Sequence, residues 1–452
     1  MKKQIFAFVL CLCLLVSGCS HPELVFRESE TREAEKETVT TSEKETEGEE
    51  PNAKNCYGVP IFIRENEYQT ILDAEPDEVM GRRLTWENIN SFPIKSEEMS
   101  LMERRMLCVE FLQFAKTALW IPDEDYGYVK NKNGTQDKMF GGEIYGGLPY
   151  IGMGTGSVYR LMDYLDEERG VVDMSEASRH PTLFGNQCSV GAYWGWARVI
   201  NSASYDWTYN MVASRGFIPV GPYTYDTSIS SLKDESSAEI CEKNGEQIMF
   251  QSYAKMLPAD GLIAYHPTGG HVIMCSTHPH VVYNRDGSIN GEESYLCITD
   301  QHQRWVEAES ASGMRYQHKN YINRKFTFQK LFTAFYIPFT FGEFLGTDPV
   351  EETVCTFAHE GDEITVNQLK TTPVTANYGI SDVYAYVSDA EGKVLFYRAA
   401  RVTHAGETRM DLSQTVYGTT FDKYADGNHT VEVVCQLGTG ERISLYKGKL
   451  VQ

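Results

Sequence analysis

A chain of 452 residues has room for two or three domains, and 42% hydrophobic with 23% charged residues is the composition of a protein with a sizeable core. A formal net charge of -22 argues against nucleic acid as a partner, because phosphate binding needs a cationic face. The same charge disfavours direct attraction to anionic lipid.

The chain begins with Lys2 and Lys3, an apolar run "IFAFVLCLCLLV" and then "VSGC". A cationic start, an apolar stretch of signal-peptide length and small residues directly before a cysteine resemble the lipobox of bacterial lipoproteins. The resemblance implies a signal segment over 1–19, lipidation of Cys19, and a mature protein held to the membrane by acyl chains in the bacterial cell envelope, outside the cytoplasm. The competing reading is an ordinary signal peptide cut near Gly18. Residues 20–55, dominated by Glu, Thr and Lys, bury too little to repay the entropy of ordering and read as a flexible acidic tether.

Helical spacing of Met102, Met106, Val109, Phe111, Leu112 and Ala115 predicts a helix that starts near Ser96. The stretch "GGEIYGGLPYIGMGTG" is too rich in glycine for a helix and reads as a loop in close contact with other backbone. "SVYRLMDYLDEERG" predicts a short helix ending at Gly170. A strand-rich half follows with "GLIAYH", "GGHVIMCS", "PHVVYN" and "SYLCITDQ". Beyond about Gly346, "EITVNQL", "SDVYAYVSD", "KVLFYRAARV", "HTVEVVCQL" and "ISLYKGKLV" read as short strands punctuated by turn residues. The expected class is therefore α+β over 56–345, followed by an all-β sandwich of immunoglobulin-like type over 346–452. That second domain carries no catalytic constellation and reads as an accessory or positioning module.

Eleven cysteines occur, and Cys56, Cys108, Cys188, Cys241, Cys275, Cys297, Cys355 and Cys435 remain after the three of the leader. No CxxC motif is present, so a zinc ribbon is not supported. Most read as small buried hydrophobes. Cys188 is set apart by its flank, "FGNQCSVGAYWGWARVI". Gly185 and Asn186 are turn residues, and from Gln187 onward Val190, Tyr193, Trp194, Ala197 and Ile200 recur at helical spacing. Cys188 then stands in the first turn of a buried helix, where amides without helical acceptors and the positive end of the dipole favour a thiolate and a nearby oxyanion.

A thiol nucleophile needs a base, and His271 in "TGGHVIM" follows two glycines at the start of an apolar strand. With the turn centred on Asp286 and Gly287, antiparallel pairing has a constant sum of 573, which sets His271 opposite His302 and Asp300 two residues along the same face. Asp300 is then an acid able to orient the imidazole. His278 and His280 remain rivals for that third position.

Helix-borne cysteine first, then a sheet with histidine and a polar residue, is the papain-like order. Together with the leader, it resembles the NlpC-type cell-wall cysteine hydrolases over roughly 140–305. The resemblance implies Cys188 as nucleophile, His271 as base, Asp300 as orienting acid and, from the "PY" of "GGLPY", Tyr150 lining the site; Gln187 and Ser189 flank the nucleophile as candidate oxyanion or substrate contacts. The chain departs from the family at the nucleophile, where Gln187, Cys188, Ser189 and Val190 stand in place of Asp-Cys-Ser-Gly, and in a longer interval between Tyr150 and Cys188.

Two other motifs resemble metal sites. "NRDGSINGEE" partly matches a calcium loop, but Val282 occupies the first ligand position, and a hairpin turn explains it better. His278, His280 and His302 lack metal-ligand spacing, so neither metal nor other cofactor is expected. The sequence reading is thus a lipid-anchored cysteine peptidase or amidase cleaving peptidoglycan stem peptides. Its alternatives are a papain-like protein peptidase or acyl transferase, and a non-catalytic surface-binding lipoprotein or adhesin.

Overall fold

A computed structural model describes residues 53–64, 71, 79–130, 136–151, 154–177, 184–201, 208–213, 216–266, 269–310, 312–402, 404–416 and 418–452. The leader, Cys19 and nearly all of the tether lie outside the described residues, as does the side chain of His302. The chain is α+β and mostly β. No helix among the described residues is long and apolar enough to cross a membrane.

The first long helix, α1 (Leu101–Thr117), starts five residues later than Ser96. Ser100 and Glu103 form a reciprocal capping box there, which satisfies two end amides at once. Leu107, Cys108, Phe111, Leu112 and Phe114 enter the main core. The second, α2 (Cys188–Trp196), is buried at every position. Where "SVYRLMDYLDEERG" predicts one helix, the chain makes a single helical turn, a 3-10 turn and a two-residue strand. The Asp163 and Tyr164 side chains are drawn out of helical register into bonds with Arg401.

Both helices pack on a ten-stranded sheet. Its strands are β1 (Leu119–Pro122), β2 (Tyr145–Gly146), β3 (Leu165–Asp166), β4 (Val171–Val172), β5 (Ile218–Pro219), β6 (Gly261–His266), β7 (Gly269–Cys275), β8 (Tyr295–Glu309), β9 (Arg315–Thr327) and β10 (Ile337–Thr340), in the order β3-β4-β1-β2-β9-β8-β7-β6-β10-β5. The β7–β8 pairs are Met274↔Thr299 and Cys275↔Ile298, both on the expected sum of 573. "PHVVYN" is no strand; it belongs to a long connection that is held by the single bridges His280↔Tyr295 and Tyr283↔Ile289. Asn284 and Ser288 close the turn around Asp286 and Gly287 inside it.

Past residue 346 two sheets share one core. One holds β11 (Cys355–Phe357), β13 (Val374–Ala376) and β16 (Arg409–Met410); the other holds β12 (Glu363–Thr365), β14 (Ile380–Ser388), β15 (Val394–Arg401), β17 (Asp426–Leu437) and β18 (Arg442–Val451). "EITVNQL" is strand only to Thr365, whose side chain and that of Gln368 cap a helix over Val366–Thr371.

This core does not stop at those two sheets. Val190, Tyr193, Trp194 and Ala197 of the α2 segment lie in it, while Ala192 and Trp196 lie in the main core. Of the five apolar positions read from the sequence as one buried face, Val190, Tyr193, Trp194 and Ala197 turn toward the sheets past residue 346, Ile200 joins the main core, and a second face meets the ten-stranded sheet. Around α2 the chain before and after residue 346 is joined by buried polar contacts. Arg160 Nε donates to Asp382 Oδ1 at 2.8 Å with both side chains at most 1% exposed, Ser157 and Ser381 hydroxyls meet at 2.9 Å, and Arg401 Nη2 donates to Asp163 Oδ2 at 3.0 Å. Burial, opposed by Arg401, pushes the Asp163 carboxyl up to about 7.

Candidate active site

The nucleophile candidate is the first residue of α2. Gln187 caps the helix in an extended conformation; its side chain makes no capping bond, and its carbonyl accepts from Gly191 N at 2.8 Å. The entry to this turn is fixed by the glycine-rich loop: Asn186 N donates to Pro149 O at 3.2 Å, Ile151 N to Asn186 O at 3.0 Å, and Gln187 N to Gly154 O at 3.3 Å. A side chain at Gly154 would strike the carbonyl of Gly185, which is why the loop carries glycine where the two backbones touch. Tyr150 is buried and bridges Asn186 across this contact. The loop expected to approach other backbone therefore does so at the N-terminal flank of Cys188.

His271 sits on β7 and Asp300 on β8. His271 Nε2 and Asp300 Oδ1 are 2.6 Å apart, with the side chains 15% and 8% exposed, a short and mostly desolvated bond of the charge-assisted kind. His278 and His280 are exposed on the connection beyond β7, and the His280 ring lies tilted against Tyr295 at 4.9 Å. Asp300 is thus the one of the three candidates bonded to His271. A ring contact with Tyr336 at 6.5 Å covers another side of the imidazole.

Side chains alternate along β8. Thr299 and Gln301 turn toward α1 and meet Gln113 and Lys116, while Asp300 between them turns to His271. Lys116 connects this strand to α2. Its Nζ donates to Gln301 Oε1 at 2.7 Å and to Asn186 Oδ1 at 3.2 Å. Burial lowers this ammonium to about 7, against the upward pull of Cys188 and Asp300. One buried cation is therefore in electrostatic range of both the candidate thiol and the histidine's acid.

The structure thus brings Tyr150, Gln187, Cys188 and Ser189 to the start of α2, pairs His271 with Asp300, and sets α2 against both strands of that pair. Lys116 and Gln301 were missed in the sequence. The available signal was a lysine inside the mostly apolar run "FLQFAKTALW", where a charge on a buried helix face demands partners. A cavity of about 760 Å³ lies elsewhere, lined by Met80, Tyr316, His318 and Asn320 with the ends of β8 and β9. Among the described residues no cluster of three or more His, Cys, Asp or Glu suited to a metal is present. Comparison of the chain with protein-family models, with curated proteins and with solved structures found no match.

Proposed function

We propose that the protein is a cysteine hydrolase of papain-like architecture, with Cys188 as nucleophile, His271 as general base and acid, and Asp300 as the residue that orients the imidazole. The observation that carries this reading is the 2.6 Å His271–Asp300 bond on the two strands against which the Cys188 helix packs. A carboxylate on Nε2 fixes the tautomer, leaving Nδ1 to exchange a proton with thiol and leaving group. In the first step the Cys188 thiolate attacks an amide carbonyl and a C–S bond forms. The carbonyl π electrons move to oxygen, where first-turn amides of α2 stabilise the charge. Collapse expels the amine, which takes its proton from His271, and leaves a thioester. Water, deprotonated by His271, then attacks the thioester, releasing the acid and restoring the thiol.

The substrate class rests on the lipoprotein-like leader and on the resemblance of "GGLPY", "NQCS" and "GGHV" to the NlpC-type hydrolases. It is an amide of peptidoglycan stem peptides, met by an enzyme tethered through Cys19 in the cell envelope. The immunoglobulin-like sandwich belongs to the same reading as a positioning domain. Purified muropeptides incubated with the protein are expected to yield new amine and carboxyl termini, and Cys188→Ala to abolish this with an unchanged circular dichroism spectrum. Undiminished hydrolysis by Cys188→Ala would sink the mechanism; cleavage of protein substrates but not muropeptides would move the assignment to a protein peptidase.

A further inference from the structure

Lys116 occupies the last turn of α1 and is 3% exposed. A lysine in such a place usually meets a carboxylate, since an enclosed ammonium is costly unless paired and hydrogen-bonded. Here both hydrogen-bond acceptors are neutral amides, Gln301 Oε1 and Asn186 Oδ1. Each amide is itself held in place, Gln301 Nε2 donating to Leu148 O at 3.4 Å and Asn186 Nδ2 to Gly156 O at 3.1 Å. Gln301 is the neighbour of Asp300, and Asn186 stands two residues before Cys188. The ammonium also needs the space over Gly191 in α2, because a Cβ at that position would collide with Nζ. Three separate segments are thus shaped to hold one cation beneath the first turns of the nucleophile helix.

We propose that Lys116 is a positioning residue of this site: its ammonium, clamped by Asn186 and Gln301, is the cation shared between Cys188 and Asp300, and it favours the ionised thiol. The proposal rests on the assignment of Cys188 as nucleophile. Of the elements packed on α1, α2 contributes Cys188 and β8 contributes Asp300, whose carboxylate also bonds His271 of β7. From β9 comes the amide of Asn320, which donates to the Lys116 carbonyl at 2.8 Å, and no further ionisable group among the described residues acts on the ammonium. The lowering of Lys116 to about 7 by burial means that this cation is itself lost near neutral pH, so thiol and lysine titrate as a coupled pair.

The test is the rate of Cys188 alkylation by iodoacetamide against pH, in the intact protein and in Lys116→Met, with the adduct located by peptide mass spectrometry. The intact protein is expected to react well below the free thiol value of about 8.5, and Lys116→Met to move this limb up by about one pH unit or more. A merely structural lysine would lower the thermal midpoint and leave the limb where it was, which overturns the proposal while the nucleophile stands. An intact protein whose limb sits at the ordinary thiol value overturns the nucleophile assignment itself, and this proposal with it. Should Lys116→Met fail to fold, the titration of the Lys116 Cε signal in 13C-lysine-labelled protein decides. Its midpoint is expected to fall in Cys188→Ser, which removes the anion that supports it, and an unmoved midpoint overturns the shared charge.

Discussion

Replacing Asp382 by alanine tests whether the chain past residue 346 is an integral wall of α2. In the native protein the Arg160 guanidinium makes four hydrogen bonds: Nε on Asp382 Oδ1 at 2.8 Å, Nη2 on Ser381 O at 2.8 Å, and Nη1 on Thr155 O and Oγ1 at 3.3 and 3.2 Å. Arg401 reaches the same carboxylate at 3.9 Å and Asp163 at 3.0 Å. Asp382→Ala therefore leaves two guanidinium groups in one enclosed space with a single carboxyl, and burial has already raised that carboxyl to about 7. Removal of one partner from a buried ion pair costs about 3–5 kcal/mol, because the remaining charge stays desolvated. At roughly 2–4 °C per kcal/mol for a domain of this class, the thermal midpoint should fall by roughly 6–20 °C. Scanning calorimetry reads this, together with whether one transition or two are seen. Asp382→Met combined with Arg160→Met removes the uncompensated charge with the pair and should recover at least half of the loss. A midpoint within about 2 °C of the native value, or a separate early transition of the part past residue 346, would refute the shared-helix account.

Three further outcomes are expected. Asp300→Asn keeps the shape of the His271 partner but removes its charge and tautomer control, so hydrolysis should drop by about a hundredfold or more, with activity within about threefold of native as the contrary result. Gly195→Val places a side chain where Leu112 Cβ stands 2.9 Å and Met274 Cε 3.0 Å from the Cβ position; prying α2 from α1 should cost about 1–3 kcal/mol in urea unfolding, and an unchanged midpoint would deny the close helix approach. His318 is held down from 6.5 to about 4 by burial, so between these values the unfolded chain binds more protons than the folded one. That penalty is absent above the unfolded value and grows as pH falls toward the folded one, so the native protein should lose stability relative to His318→Phe on acidification through this window. Parallel stability curves for the two proteins would contradict it.

Much of the site could be read from local chemistry. A cysteine after turn residues and before an apolar run marks a helix start, and the glycines before His271 mark a strand entry. The register of β7 and β8 followed from the position of the Asp286–Gly287 turn, although the connection between Cys275 and Tyr295 carries bridges of its own and is no simple hairpin. Lys116 was legible only as a charge inside a mostly apolar helical run; its partners Asn186 and Gln301 were not, because both come from segments distant in sequence that no local pattern names. The double burial of α2 was misread for a related reason. Tyr193, Trp194 and Trp196 surround that helix with apolar surface, and an all-round apolar helix announces two partners without saying which face each takes. The break after Leu161 depended on Arg401 and Tyr384, more than two hundred residues away, whose pull on Asp163 no local propensity encodes.

The most direct measurement is to quench a reaction between the protein and a stem-peptide amide in acid and to search every cysteine-containing peptide for an acyl adduct. The mechanism predicts a thioester on Cys188 alone, increased in His271→Gln if deacylation is slowed more than acylation and never found in Cys188→Ala. Substrate turnover with no adduct at Cys188, or with the adduct on another residue, would contradict the assignment of this cysteine as the nucleophile.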